Sequence, residues 1–373
     1  MTESKATIDV EKENADFDLA KSLAGATQAT GKKPLAQVSE IAKLTFGGGK
    51  LTPEEYFNFH LYDDGKFTME DKKKFLGKKA QDVILRRINP LEWWSIPHDK
   101  LVLYGLLAGL TYAVPTTQAL FHPFRRFGEV AALRSTEALA AFLRDGMRYP
   151  FFGKPVSGIH SVGVSSVTAY EAEVDILVLS NGARVPVESY VAELEQFFKD
   201  GYIFQDRLVP HPALRELCGD RIATVRIVVL LTEQGPTITH CLWKVPAGDN
   251  IADNFWRQGN LLAALDVETG RILRVVQGFG IEEREIESHP DTGGRMLDFV
   301  LPDWERVKGL CLACAAAIPG LKMQAWDIAI GPQGPVMVEV NIGGDFNLPQ
   351  IATRSGLNDG LFAEFLAKHM NAK

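Results

Sequence analysis

Apolar and polar residues alternate with a period of two through "WDIAIGPQGPVMVEVN" (326–341), which predicts two strands joined by a turn. Trp326, Ile328 and Ile330 share one face, with Asp327 and Ala329 opposite. On the second strand Val336, Val338 and Val340 form the apolar face and leave Met337, Glu339 and Asn341 on the other. If residues 331–335 form a five-residue loop, Ile330 pairs with Val336. Asp327 then lies across from Glu339, with Asn341 farther along the same face.

Apolar runs at "ATVRIVVLL" (223–231), "TITHCLWKV" (237–245) and "RILRVVQ" (271–277) predict further strands, as do "YPFFGKP" (149–155) and "GYIFQDRLV" (201–209). Helix starts are signalled at Thr52-Pro53-Glu54-Glu55, at Thr68-Met69-Glu70-Asp71 and at Asp99-Lys100, with Asn89-Pro90 as a stop. Further helices are expected over 134–148, from about Pro186, from Pro302 to Ala317 and near 356–370. Residues 1–45 are polar and weakly periodic and read as a mobile tail with room for a short helix; 46–98 read as a helical segment. From residue 99 onward helices and strands interleave without strict βαβ alternation, which favours α+β subdomains over a doubly wound sheet.

The chain has 373 residues, enough for two or three packed units. It is 46% hydrophobic and 23% charged with a formal net charge of −7, a balance that argues against non-specific nucleic-acid binding. Four scattered cysteines are too few for a disulfide framework and point to a reducing cytoplasm. Cys311 and Cys314 fall in an alanine-rich helical run with no second pair, so helix packing explains them better than a metal or redox site. No apolar leader opens the sequence, and the most apolar stretch, 101–115, is shorter than the roughly 20 residues a membrane span needs.

Two carboxylates set opposite each other repel unless a cation or a solvated rim relieves them. Hard oxygens from Asp327, Glu339 and Asn341 suit magnesium, which shares its shell with waters and substrate phosphates. A solvated hairpin with ordinary acidic residues fits the same letters. Upstream, Lys154 ends an apolar strand and is followed by Gly158 and Gly163 among small residues. Such a loop can bring backbone N–H groups to phosphate oxygens, although no Walker pattern is present and a hairpin with a surface lysine is the alternative. Arg226 sits within a strand so apolar that it needs an anionic partner, supplied by a ligand or by an internal salt bridge. Lys244 ends the next strand, and "DNFWRQGN" adds Asn254 and Arg257.

In this order these features resemble the ATP-grasp superfamily, and more closely its sugar-transfer-associated branch. The resemblance runs from about residue 95 to 370 and is carried by "WDIAIGPQGPVMVEVN" with Asn347, by "ATVRIVVLL", by "DNFWRQGN", and by "SHPDTGG" before the Pro302 helix. It implies an α+β ATP-grasp fold, two subdomains (99–205 and 206–373) holding ATP between them, with a helical N-terminal extension. It further implies that Lys100 and Lys154 reach the phosphates and that backbone groups around Gln205, Asp206 and Leu208 read the adenine edge. Many members carry an acidic residue where Gln205 stands, so a charged contact from that side chain is not expected. Arg226, Lys244 and Asn254, joined by Arg257, would face the γ-phosphate and the activated intermediate. Asp327, Glu339 and Asn341 correspond to magnesium ligands, for two ions, with manganese as an alternative. His289 and Asp291 in "EIESHPDTGG" would border the acceptor site, or else form a structural turn with a solvent-facing histidine.

The reaction implied is an ATP-dependent ligation in which a small-molecule carboxylate forms an acylphosphate that a nucleophile, such as an amine, then displaces. A phosphotransferase acting on a hydroxyl, or a non-catalytic nucleotide-binding protein, are the alternatives. The resemblance associates the product with polysaccharide or glycoconjugate assembly. The N-terminal segment would read the substrate or mediate homodimer contacts. Asp327→Asn and Glu339→Gln are each expected from the sequence to spare the fold and abolish turnover.

Overall fold

The structure is a computed structural model that describes residues 17–158 and 162–371. Among these residues seven helices come first: α1 (Leu19–Thr30), α2 (Pro34–Phe46), α3 (Pro53–Asn58), α4 (Met69–Lys72), α5 (Lys78–Ile88), α6 (Ser95–His98) and α7 (Lys100–Gly109). Their ends follow local chemistry. Thr52 and Thr68 each close a capping box, with Glu55 and Asp71 as reciprocal partners, and Asp99 caps α7 by accepting from the N–H groups of Leu101 and Val102.

The stretch expected to be a tail differs from that reading: α1 and α2 pack, and residues 1–16 lie outside the described residues. Its charged letters are the reason it reads as solvated, yet several of them are buried together. Glu40 accepts from Lys72 Nζ at 2.8 Å and from Tyr56 Oη at 2.6 Å, and also pairs with Lys32. Gln37 donates to Leu23 and Lys32 carbonyls and to Thr27. Satisfied in this way, polar groups can be buried at tolerable cost.

Two seven-stranded sheets follow. The first contains β1 (Thr117–Phe121), β2 (Ala131–Leu133), β3 (Phe151–Pro155), β4 (Ser165–Glu171), β5 (Ile176–Leu179), β6 (Arg184–Pro186) and β7 (Tyr202–Asp206), in the order β2-β1-β7-β3-β4-β5-β6. Helices α8 (Thr136–Asp145) and α9 (Val187–Leu194) close its core around Phe151, Tyr190 and Phe204. After α10 (Pro212–Cys218), the second sheet contains β8 (Thr224–Thr232), β9 (Gly235–Val245), β10 (Leu261–Leu265), β11 (Ile272–Gln277), β12 (Arg284–Glu285), β13 (Met323–Gly331) and β14 (Gly334–Ile342). Its order is β12-β11-β10-β9-β8-β13-β14, antiparallel throughout. Helices α11 (Trp304–Ala316), α12 (Asn347–Thr353) and α13 (Gly360–Asn371) complete the chain.

Both faces of the second sheet are covered. Trp243, Leu261 and Ala263 pack toward α7 and α11, whereas their neighbours Leu242, Leu262 and Ala264 pack against residues of α1–α3 and α12. Burial on both faces is why these strands read as continuous apolar runs. The N-terminal helices are therefore a layer of the fold. Cys311 and Cys314 are free thiols in the same core, pointing into packing as their sequence context suggests.

The β13–β14 hairpin turns more tightly than expected. Gly331 pairs with Gly334 across a two-residue loop, Pro332-Gln333, and Gly334 adopts φ +120°, a backbone conformation that favours glycine. That places Ile330 opposite Pro335, one residue out of the expected register. A bulge at Val338 restores it, so Asp327 faces Glu339 and Trp326 faces Val340. The bulge also reassigns a face: Met337, expected beside Glu339, joins Val340, Trp326 and Ile328 in the core.

Candidate functional site

A cleft of about 740 Å³ opens between the two sheets. One wall comes from the first sheet and α7. Lys154, fourth residue of β3, and Lys100, first residue of α7, both line it with little solvent exposure. Lys100 Nζ lies 3.4 Å from the Gly158 carbonyl, and burial lowers its ammonium from the ordinary value. Burial also pushes the Lys154 ammonium down, to about 8, against the pull of Glu339 and Asp327.

Lys154 is held by a residue the sequence did not single out. Its Nζ donates to Tyr104 Oη at 2.8 Å, and that hydroxyl in turn donates to the Val338 carbonyl at 2.8 Å. The bulge residue of β14 is thus joined through α7 to a lysine of the first sheet. Tyr104 follows Lys100 by one helical turn, a spacing that puts both on one face and was the available signal. Tyr104→Phe is expected to cost about 1–3 kcal/mol by stripping the Val338 carbonyl of its donor. Chemical denaturation would measure that loss, and calorimetry should show weaker binding of an ATP analogue.

The opposite wall carries the acidic residues. Arg226 and Asp327 are direct cross-strand partners in the β8–β13 register and form a bidentate pair, Nε–Oδ1 2.8 Å and Nη2–Oδ2 2.7 Å. Lys244 Nζ donates to the same Oδ2 at 3.0 Å and lies 3.6 Å from Asp253, which also accepts from the Thr224 amide. Burial alone would raise the Asp327 carboxyl, but Arg226 and Lys244 together hold it well below the usual carboxylate range. The anionic partner that Arg226 requires is therefore Asp327.

Glu339 is the open member of the set. Its side chain retains 32% of its exposure, with Arg226 4.0 Å away and Asn341 Nδ2 at 3.4 Å. Among the described residues no group of three or more His, Cys, Asp or Glu side chains is arranged to hold a metal. The donors here are two carboxylates, one already shared by two cations, plus an amide. That suits an ion that takes one or two protein carboxylates and completes its shell with phosphates and water, as magnesium does.

The remaining expected residues divide. Asn254 lines the cleft, its Oδ1 accepting from Trp256 N at 3.2 Å. Gln205, Asp206 and Leu208 line it too. The amides of Asp206 and Arg207 are spent on the carbonyls of Thr116 and Pro150, and Asp206 pairs with Arg148 at 2.9 Å. Leu208, beyond the end of β7, is the member of this stretch outside the ladder. Gly158 borders the cleft, but residues 159–161 lie outside the described residues. Gly163 does not reach it: φ is +79°, and a Cβ there would come within 2.6 Å of Phe197, so the glycine serves the fold. Arg257 is not among the residues that line the cleft.

His289 and Asp291 do not border the cleft either. His289 is buried, donating from Nε2 to the Pro246 carbonyl at 3.1 Å while Nδ1 accepts from Asp291 N at 3.3 Å. The imidazole is neither solvent-facing nor available to a substrate, and burial lowers its pKa. Asp291 accepts from Gly248 N at 2.9 Å and from Arg221 at 2.6 Å. The segment pins the 246–250 loop and fixes Arg221, which does line the cleft.

Residues of the N-terminal helices also line the cleft, among them Lys78 and Gln81 of α5. Sequence reasoning missed them because only tertiary packing brings α5 beside the loop after β14. Among the described residues no helix is long and apolar enough to cross a membrane.

Several solved structures are similar to this chain. The D-alanine-D-alanine ligase from Coxiella burnetii is 13% identical, with a TM-score of 0.43, covering 76% of this chain and 60% of its own. The VanG D-Ala:D-Ser ligase from Enterococcus faecalis is 14% identical, with a TM-score of 0.39 over 74% of this chain and 62% of its own. The D-alanine--D-alanine ligase from Bacillus anthracis is 13% identical, with a TM-score of 0.42 over 78% and 74%. The chain spans less than two thirds of the length of the first two. No curated protein matches it. Residues 80–363, well over half of the chain, match the model of the family described as "Sugar-transfer associated ATP-grasp". With two sheets enclosing one cleft behind a helical N-terminal layer, the chain belongs to the sugar-transfer-associated ATP-grasp family.

Proposed function

We propose that the protein is an ATP- and magnesium-dependent ligase that joins a small-molecule carboxylate to an amine or another nucleophile. The observation that carries this reading is the facing of two cation sets across one cleft. Lys100 and Lys154 stand on the first-sheet side, and Arg226 and Lys244, docked on Asp327 beside Glu339, stand on the second. A polyphosphate between them is met by the lysines from one side and, from the other, by two cations whose charge Asp327 and Glu339 offset and which magnesium would supplement.

In this reading a substrate carboxylate oxygen attacks the γ-phosphorus as its bond to the β-bridging oxygen breaks, leaving an acylphosphate and ADP. The nucleophile then forms a bond to the acyl carbon, the carbon–oxygen bond to phosphate breaks, and the nucleophile's proton passes to solvent. Lys154 and Lys244 meet charge on the transferring phosphoryl group, Arg226 orients Asp327, and Asn254 presents its amide from the wall nearby. Leu208 N–H is the backbone donor offered to the adenine edge. Glu339 and Asn341, with Asp327 behind them, would hold magnesium, which neutralises phosphate charge. Three donors suffice for two ions that complete their shells with phosphate oxygens and water, and manganese suits the same ligands. No protein nucleophile is required. The buried free cysteines support a cytoplasmic setting, and the family's description supports a product destined for polysaccharide or glycoconjugate assembly.

Calorimetry with a non-hydrolysable ATP analogue, with and without magnesium, tests the nucleotide site: magnesium-dependent binding is expected, and none under any condition overturns the reading. With ATP and a substrate, free inorganic phosphate is expected in step with product. Phosphate retained on the product would instead make the enzyme a phosphotransferase. Lys154→Ala should weaken analogue binding about tenfold or more. Because the wild-type ammonium loses its charge as pH rises through about 8, wild-type affinity should decline over that range in parallel measurements, and the variant's should decline less, with Lys100 the remaining buried ammonium.

A further inference from the structure

The cleft is lined by separate parts of the chain. Lys154, Ser166 and Gln205 belong to the first sheet. Another part is α5, which is tied to the loop after β14 and, through it, to Trp256. Gln81, which is buried, donates from Nε2 to the Gly344 carbonyl at 3.0 Å and accepts from the Phe346 amide at 2.9 Å. Asp345, between those two residues, accepts from the indole Nε1 of Trp256 at 2.8 Å. Trp256 is further set by ring contacts to Phe255 and Phe279, both at 5.6 Å between centroids. Its indole is therefore held in one orientation while still lining the cleft, beside Leu348 and Asn254.

Charge among the lining residues is distributed unevenly. Arg226 and Lys244 are engaged by Asp327, and Arg221 by Asp291. Lys78 lies one helical turn before Gln81 on the same face of α5, lines the cleft, and takes part in none of the ion pairs formed among the described residues. Its backbone N–H is fixed by Glu55 at 2.6 Å, so the start of α5 is anchored even though the ammonium is exposed. An oriented indole and an uncommitted cation on a braced helix form a recognition surface on elements other than those that carry Lys100 and Lys154.

We propose that the part of the lining formed by Trp256 and Lys78 is the subsite for the substrate other than ATP, and that it takes a ring-bearing carboxylate. The ring lies against Trp256, an anionic group is met by Lys78, and Gln81 is a positioning residue that holds the Gly344–Phe346 loop and hence the indole. The inference rests on the ligase reading above, since it presumes that the phosphate groups of ATP lie at Lys100 and Lys154.

The test uses the full chain loaded with a non-hydrolysable ATP analogue and magnesium, titrated with phenylacetate and, separately, with D-glucuronate. Binding of at least one probe is expected. Lys78→Ala should weaken it about tenfold while leaving analogue affinity unchanged, and Lys78→Arg should restore it. Trp256→Phe should remove the fluorescence change that accompanies probe binding. Equal probe affinity in wild type and Lys78→Ala overturns the assignment of Lys78. Absence of binding by both probes to the nucleotide-loaded wild type overturns the substrate class while leaving the nucleotide site standing. Failure of the analogue itself to bind overturns the ligase reading and this subsite with it.

Discussion

Asp327→Asn is expected to destabilise the protein by about 3–5 kcal/mol, measured as a lowered denaturant midpoint, besides abolishing magnesium-dependent turnover. The sequence alone suggested that the fold would be spared. The structure shows why it would not: both oxygens of this buried carboxylate are engaged, one by Arg226 and the other by Arg226 and Lys244 together. Asparagine keeps the shape and removes the charge, which leaves two cations in a site of low dielectric without their counter-ion. The same coupling fixes the direction of the acid response. A carboxyl whose folded-state pKa is held below its ordinary 3.8 contributes stability that is fully present above that value. That contribution drains away as the pH falls toward the depressed folded-state pKa. Wild-type stability should therefore fall on acidification below about pH 4, and Asp327→Asn should show a shallower fall over the same range.

Glu339→Gln should separate chemistry from stability. Its side chain is one-third exposed, and its nearest cation, Arg226, stands 4.0 Å away and is already paired. Loss of this charge removes little from the folded state, yet takes the open carboxylate from the place where magnesium would sit. Turnover is expected to fall by about 10²–10³-fold or more, with the denaturant midpoint nearly unchanged. Activity within a few-fold of wild type would remove Glu339 from the metal set. The contrast between the two variants is itself informative, since a carboxylate that merely fills space would lower both quantities or neither.

Much of this was legible in local patterns. Thr52 and Thr68 cap helices as their spacing to Glu55 and Asp71 predicts, because capping is decided within four residues. The pairing of Asp327 with Glu339 was also readable from alternation, although the route to it was not. A five-residue loop and a two-residue loop followed by a bulge end in the same register beyond the bulge, and differ in the partner of Ile330 and in the faces of β14, where Met337 reaches the core and Val338 lines the cleft. What stayed hidden depends on partners far away in sequence. The charges of α2 look solvated until Lys72 meets Glu40 across 32 positions. His289 looks like a candidate for chemistry until Pro246 takes its ring nitrogen. The role of Tyr104 appears only when β3 and β14 are both in place around it.

The bulge at Val338 has a consequence for how this hairpin can change length over evolution. Insertions at Pro332-Gln333 lie at the far end of the ladder and only lengthen an exposed tip. Deletion of the one extra residue at 338 would leave a regular ladder, with Ile328 still opposite Met337 and Asp327 still opposite Glu339, and would take away the carbonyl that accepts from Tyr104. Relatives of this chain should therefore vary freely in turn length, and a relative without the bulge residue should keep both pairings but lose the link from α7 to β14. A gap opposite position 338 in a sequence alignment would still pair residues from the same face of the sheet.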